Sequence, residues 1–205
     1  MANPEEWPKH GTRLKDHYHA IGVLIAAWND VESAYSALIQ ILIPNTRTAV
    51  QLFHLLGNEG RWQFILEESG RTLPEEDAAD VAYFLKCAAI CKENRNGIAH
   101  SRMGPQDDAA IIMLTKGYDA ASQTLKQYWL TVTSLRQMAD ETAEVASYGF
   151  ALWASIHIRR NWLGYTEDIR KKFPDMLKAS PERPPQGNVP NDVEVGGQAL
   201  PTLSR

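Results

Sequence analysis

Apolar residues recur along the first part of the chain at alternating spacings of three and four. Leu14, Tyr18, Ile21, Ile25, Trp28, Tyr35, Ile39 and Leu42 mark one face of a helix, and Leu24, Val31, Leu38 and Ile41 widen the stripe. The pattern predicts one long helix over 12–43, ended by Pro44, whose ring cannot continue the ladder. A shorter helix follows at about 46–57, opened by Asn45 or Thr46 as cap and closed near Gly57. Another spans about 59–70, with Trp62, Ile65 and Leu66 on its apolar face and Gly70 at its end. Pro74 with Glu75, Glu76 and Asp77 marks the next start, because early acidic residues suit the helix dipole. That helix runs to about 101, with Val81, Phe84, Ala88, Cys91 and Ile98 on its stripe, and Gly104-Pro105 stops it.

The pattern then changes. Residues 109–115 are continuously apolar and 124–131 are rich in β-formers, so a minor hairpin is expected within 109–131. A last long helix covers about 133–163, through Leu135, Met138, Val145, Leu152 and Ile156. From Phe173 onward, proline, glycine and polar residues dominate, which predicts a disordered tail. The expected fold is all-α: a helical bundle on two long helices, with shorter helices between, a minor β-hairpin and that tail. The chain divides into a flexible N-terminus (1–11), a helical domain (12–163) and a basic segment with the tail (164–205).

Two charges interrupt these stripes. Glu32 falls between Trp28 and Tyr35 on the first helix, and Arg95 between Cys91 and Ile98 on the fourth. A lone charge at a core position is costly, so each should have a partner. The simplest pairing joins Glu32 to Arg95 across the bundle, since a planar guanidinium can bind a carboxylate with two bonds. Arg61 and Arg102 are alternative partners for Glu32. Such a pair either fixes helix register or holds the guanidinium so that part of it faces a cleft.

Composition narrows the function. The 205 residues suffice for one domain with a core and a tail, and 44% hydrophobic with 22% charged residues is ordinary for a globular protein. A net charge of −4 argues against broad charge-driven nucleic-acid binding, though not against a local basic cleft. Cys87 and Cys91, four apart on a helix, read as small core residues of a reducing compartment rather than a disulfide framework or zinc site. No apolar signal core or membrane span is evident, so a cytoplasmic protein without membrane partners is expected. No His/Asp/Glu cluster has metal spacing, and neither a phosphate-binding glycine loop nor a Gly-x-Ser-x-Gly turn is present, so no cofactor is expected.

The segment Arg95-Asn96-Gly97-Ile98-Ala99-His100 remains. His100 stacks with Asn96 one turn earlier and with Lys92 beyond, on the polar side of the helix. Arg95 and His100 lie roughly 140° apart around an ideal helix, so they flank one site only if Arg95 reaches around or a second subunit brings its own copy. Asn96 and His100 have no packing reason to be there.

Arg95-Asn96-x-x-x-His100, late in a bundle helix that follows a long first helix carrying Trp28 and Glu32, resembles the Arg-polar-x-x-x-His signature of the HEPN superfamily. The likeness covers roughly 12–163, with the six-residue motif as its sharp part and Gly97 as a departure. The resemblance implies a homodimer whose motif helices pack near a two-fold axis and build a composite cleft for RNA. In it His100 would act on the 2′-hydroxyl or the leaving oxygen, Arg95 would stabilise phosphate charge, and Asn96 would orient His100 or the phosphate, with Glu32 and Lys92 in support. Histidine suits proton transfer near neutrality. No metal would be required and a cyclic phosphate would remain. The family setting implies a toxin or phage-defence effector with an antitoxin or regulatory partner. The competing expectation is a non-catalytic dimerisation or adaptor protein in which Arg95 and Asn96 are structural.

Overall fold

The N-terminal apolar stripe folds as α1 (Lys15–Leu42), followed by α2 (Thr46–Leu55), α3 (Asn58–Thr72) and α4 (Glu75–Ala99). Then come β1 (Arg102–Gln106), β2 (Ile111–Asp119), β3 (Thr124–Thr131) and α5 (Val132–Asn161). The computed structural model describes residues 14–43, 45–100, 102–106, 111–119, 124–161, 167 and 181–187, with the backbone alone for 102–129. The expected flexible N-terminus, the basic stretch after α5 and most of the tail lie outside the described residues.

The fold is an all-α helical bundle. Asn45 rather than Thr46 caps α2, accepting the Thr48 N–H at 3.0 Å, and Thr131 caps α5 through the Ser134 N–H at 3.0 Å. Among the described residues three helices are long rather than two, with 28, 25 and 30 residues in α1, α4 and α5. α1 and α5 form the most extensive contact and run parallel, since Arg160 near the end of α5 donates to the Ile41 carbonyl near the end of α1 at 2.6 Å. α4 runs against both, because Arg159 of α5 reaches Asp77 in its first turn. α3 lies along α4.

The main core joins Trp28–Leu42 of α1, Ala49 of α2, Ile65 of α3, Val81–Cys91 of α4 and Val145–Ile156 of α5. A smaller one gathers Leu14, Ala20 and Leu24 of α1, Ile98 of α4, Leu130, and Leu135, Met138 and Ala139 of α5. It lies where α4 leaves the bundle for the sheet, so the motif sits at this end. At Gly149 α5 packs closely against α1 and α4. A Cβ there would stand 2.6 Å from Phe84 Cε2 and 2.9 Å from Ala34 Cβ.

The expected hairpin is a three-stranded antiparallel meander in the order β1-β2-β3. Arg102 pairs with Thr115 and Gln106 with Ile111; Ile111 pairs with Thr131 and Asp119 with Thr124, with a bulge between Thr115 and Gly117. Gly104-Pro105, expected to stop a helix, lies inside β1. Proline is tolerated there because β1 is an edge strand. Within the tail expected to be disordered, Pro181–Gly187 is described and rests on α4 and α5, with the Tyr83 hydroxyl donating to the Pro184 carbonyl at 2.6 Å.

Three stripe assignments shift by one position. His17 is buried in place of Tyr18, which is 41% exposed. Val31, not Glu32, faces the core, and Asn94 is buried whereas Arg95 is half-buried at its flank. At 3.6 residues per turn, positions three and four beyond a core residue both lie near its face, and tertiary packing selects one.

Candidate functional site

Ile98 anchors the last turn of α4 in the small core, which sets the directions of its neighbours. Arg95 and Asn96 fall half-buried on the flank. α4 ends at Ala99, and His100 forms its C-cap with φ −106° and ψ 6°, its N–H donating to the Asn96 carbonyl at 3.1 Å. The His100 side chain is exposed. A cation suits this position because the helix C-terminus carries partial negative charge.

Glu32 does not meet Arg95. It pairs with Arg61 of α3, one of the alternatives open from the sequence, at 3.7 Å. Arg61 is otherwise well satisfied: it donates to the Phe53 carbonyl at 2.9 Å and to Asn58 Oδ1 at 3.0 Å, and lies 3.8 Å from the centre of the Phe53 ring. The ion pair on the α1 flank therefore ties α1 to the α2–α3 turn, and Arg95 is released from the structural duty expected of it. Arg95 Nη1 donates to Asn96 Oδ1 at 2.9 Å, and its buried Nε has no partner among the described residues. Leaving a buried donor of a charged group unsatisfied is unfavourable by about 1–3 kcal/mol or more. Asn96, expected to orient His100 or a phosphate, spends its carbonyl on the guanidinium.

Beside this flank opens a cleft of about 390 Å³ between α1, α3 and α4, lined by Tyr35, Asn58, Glu59, Trp62, Ala89, Lys92, Glu93 and Asn96. It brings together two of the five residues singled out by sequence, Lys92 and Asn96. Arg95, His100 and Glu32 are not in its lining; Arg95 touches the cleft only through its bond to Asn96. Lys92 spans the rim to Glu59 at 3.0 Å. The Trp62 indole N–H is buried without an acceptor among the described residues. Burial pushes the Tyr35 phenol well above its usual range, and Cys91, Glu32 and Glu59 nearby act in the same direction. Tyr35 therefore serves the cleft as a neutral hydroxyl.

Sequence reasoning missed Tyr35, Asn58, Glu59 and Trp62. Tyr35 and Trp62 read as core-facing from the sequence; Tyr35 is buried and Trp62 partly so, with its indole nitrogen buried. The available signal was the polar atom each ring carries, which needs a partner wherever the ring is buried.

Gly97 breaks neither the helix nor the packing of the single chain; a Cβ there would meet nothing within 4 Å. Cys87 and Cys91 are buried and free, their thiols raised by burial, that of Cys91 to about 11. Both are small core residues held as neutral thiols. Among the described residues there is no His/Cys/Asp/Glu group arranged to hold a metal ion, and no helix is long and apolar enough to cross a membrane.

Comparison of the chain with protein-family models, curated proteins and solved structures gave no match. The chemistry of the site itself is therefore the ground for a function.

Proposed function

We propose that the chain is a metal-independent endoribonuclease of the HEPN type, acting as a homodimer. The observation that carries the proposal is Arg95, which has no carboxylate partner among the described residues and keeps a buried Nε unsatisfied beside a polar cleft. A phosphodiester oxygen is the acceptor such a guanidinium lacks. Asn96 holds the guanidinium by its Oδ1, and Lys92 adds positive charge at the cleft rim. His100 removes the proton of the RNA 2′-hydroxyl, whose oxygen attacks the adjacent phosphorus. The 5′-oxygen leaves with a proton from the His100 of a second copy, giving a 2′,3′-cyclic phosphate and a 5′-hydroxyl. A second copy is required because His100 of a single chain lies past the helix end and outside the cleft lining. Open space at Gly97 supports close approach of a second motif helix. The setting this activity suits is a toxin or phage-defence effector restrained by an antitoxin or regulatory protein.

The same exposed His100 favours a second reading, in which the α4 end is a dimerisation or adaptor surface without catalysis. The two separate in one assay. Varied RNAs are incubated with the pure protein in EDTA, beside His100→Ala and Arg95→Ala. Cleavage that survives EDTA and disappears in His100→Ala supports the nuclease. RNA left intact by wild-type dimer under all conditions removes it and leaves the adaptor.

A further inference from the structure

The first half of α4 bears a feature that the nuclease reading does not use. Asp80, only 4% exposed, sits in a groove between α4 and α5 beside Tyr83 and Tyr148, whose rings meet edge to face at 6.2 Å. A buried carboxylate needs a cation or several donors. Among the described residues its charged partner comes from neither helix. Arg183, from the strap Pro181–Gly187, donates to Asp80 Oδ1 from Nε at 2.8 Å and from Nη2 at 2.7 Å, and lies 5.0 Å from the centre of the Tyr83 ring. The Tyr83 hydroxyl donates to the carbonyl of the next residue, Pro184, at 2.6 Å. One aromatic side chain thus reads the guanidinium by its face and the proline backbone by its hydroxyl.

The occupant suits this chemistry. Pro181, Pro184 and Pro185 have φ fixed by their rings, and the residue before each proline is biased to extended conformations. A segment so constrained loses little freedom on docking, which is why proline-rich ligands pair with aromatic grooves. The groove also exceeds its occupant: about 630 Å³ remains open between the strap and Glu144, Ser147, Tyr148 and Ala151 of α5.

We propose that this groove is a recognition site for extended peptide segments bearing Arg-Pro-Pro on a partner polypeptide. Pro181–Gly187 is its resident, displaceable occupant. Asp80 selects the arginine, Tyr83 the arginine and the following carbonyl, and the open space along α5 takes residues flanking the motif. Tethering gives the resident segment a local concentration of about millimolar, so it competes with any partner until displaced.

The test uses the full-length chain and a labelled heptapeptide of residues 181–187, read by fluorescence anisotropy. Arg183→Glu sets like charges against each other and vacates the groove. It should bind the free peptide at least about tenfold more tightly than wild type, whose own strap competes. Adding Asp80→Asn to Arg183→Glu should abolish that binding. The same peptide carrying R183Q should not bind either, a control that needs no protein variant. Helical circular dichroism confirms folding, and Arg183→Ala replaces Arg183→Glu if the latter unfolds. Binding by a folded, vacated variant that is no tighter than wild type overturns the proposal. Equal binding of the R183Q peptide overturns it as well.

Discussion

The two halves of α4 treat their charges in opposite ways. In the first half, Asp77 and Asp80 are buried, and each is answered by an arginine from a distant part of the chain, Arg159 and Arg183. Around them Phe84 and Leu85 are fully buried, and Gly149 presses against the Phe84 ring. In the second half the polar groups have partners next door or at the rim. Arg95 bonds to the adjacent Asn96, and Lys92 reaches Glu59, whose side chain is 83% exposed. A charge answered across the bundle is explained by packing. A charge answered only by its neighbour is not, and that contrast is why the proposed chemistry is assigned to the C-terminal half.

The sharpest way to break the contrast is mutation in the second half. His100→Ala should lower RNA cleavage by about 10²–10⁴-fold, the usual worth of a positioned acid or base, with the melting temperature unchanged. Arg95→Ala should cost about 10²–10³-fold, and likewise leave the fold intact. If Arg95→Ala instead unfolds the chain, the two halves are alike and the guanidinium is structural. In the first half Asp77→Ala should behave in the opposite manner. It leaves Arg159 half-buried with the Ser155 hydroxyl but no carboxylate, and should destabilise the fold by about 2–4 kcal/mol in a denaturant titration, below the cost of breaking a fully buried pair because the arginine side chain is 24% exposed. Gly149→Ala should cost about 1–3 kcal/mol, since the new methyl overlaps Phe84 and Ala34. Gly97→Ala has the smallest expected effect, about 0.5–1 kcal/mol of stabilisation. In analytical ultracentrifugation the same substitution should weaken the dimer if motif helices meet at this glycine.

Much of the bundle was legible because long runs of three-and-four spacing leave little choice but a helix. The limit of that signal was one residue wide. At 17 or 18, at 31 or 32 and at 94 or 95, both neighbours lie near the core face, and only packing against other helices decides. The expected Glu32–Arg95 pair failed on that margin twice over, with each charge one position off the buried line. β1 escaped notice because Gly104-Pro105 reads as a stop, which is also what an edge strand tolerates. β2 was read too short because Lys116-Gly117 interrupts the apolar run at the bulge. The strap escaped for a different reason. Its composition carries no apolar period, and its order rests on Asp80 and Tyr83, roughly a hundred residues earlier.

The parallel contact of α1 with α5 joins two helices with about ninety residues between them. During synthesis α1 leaves the ribosome with its apolar stripe complete and its principal partner not yet translated. At ordinary elongation rates that interval is on the order of ten seconds. Over that time Trp28, Val31, Leu38 and Ile39 have only α2, α3 and α4 to cover them. Until α5 emerges that surface is incompletely covered, and truncation before α5 should yield aggregates rather than a smaller folded domain.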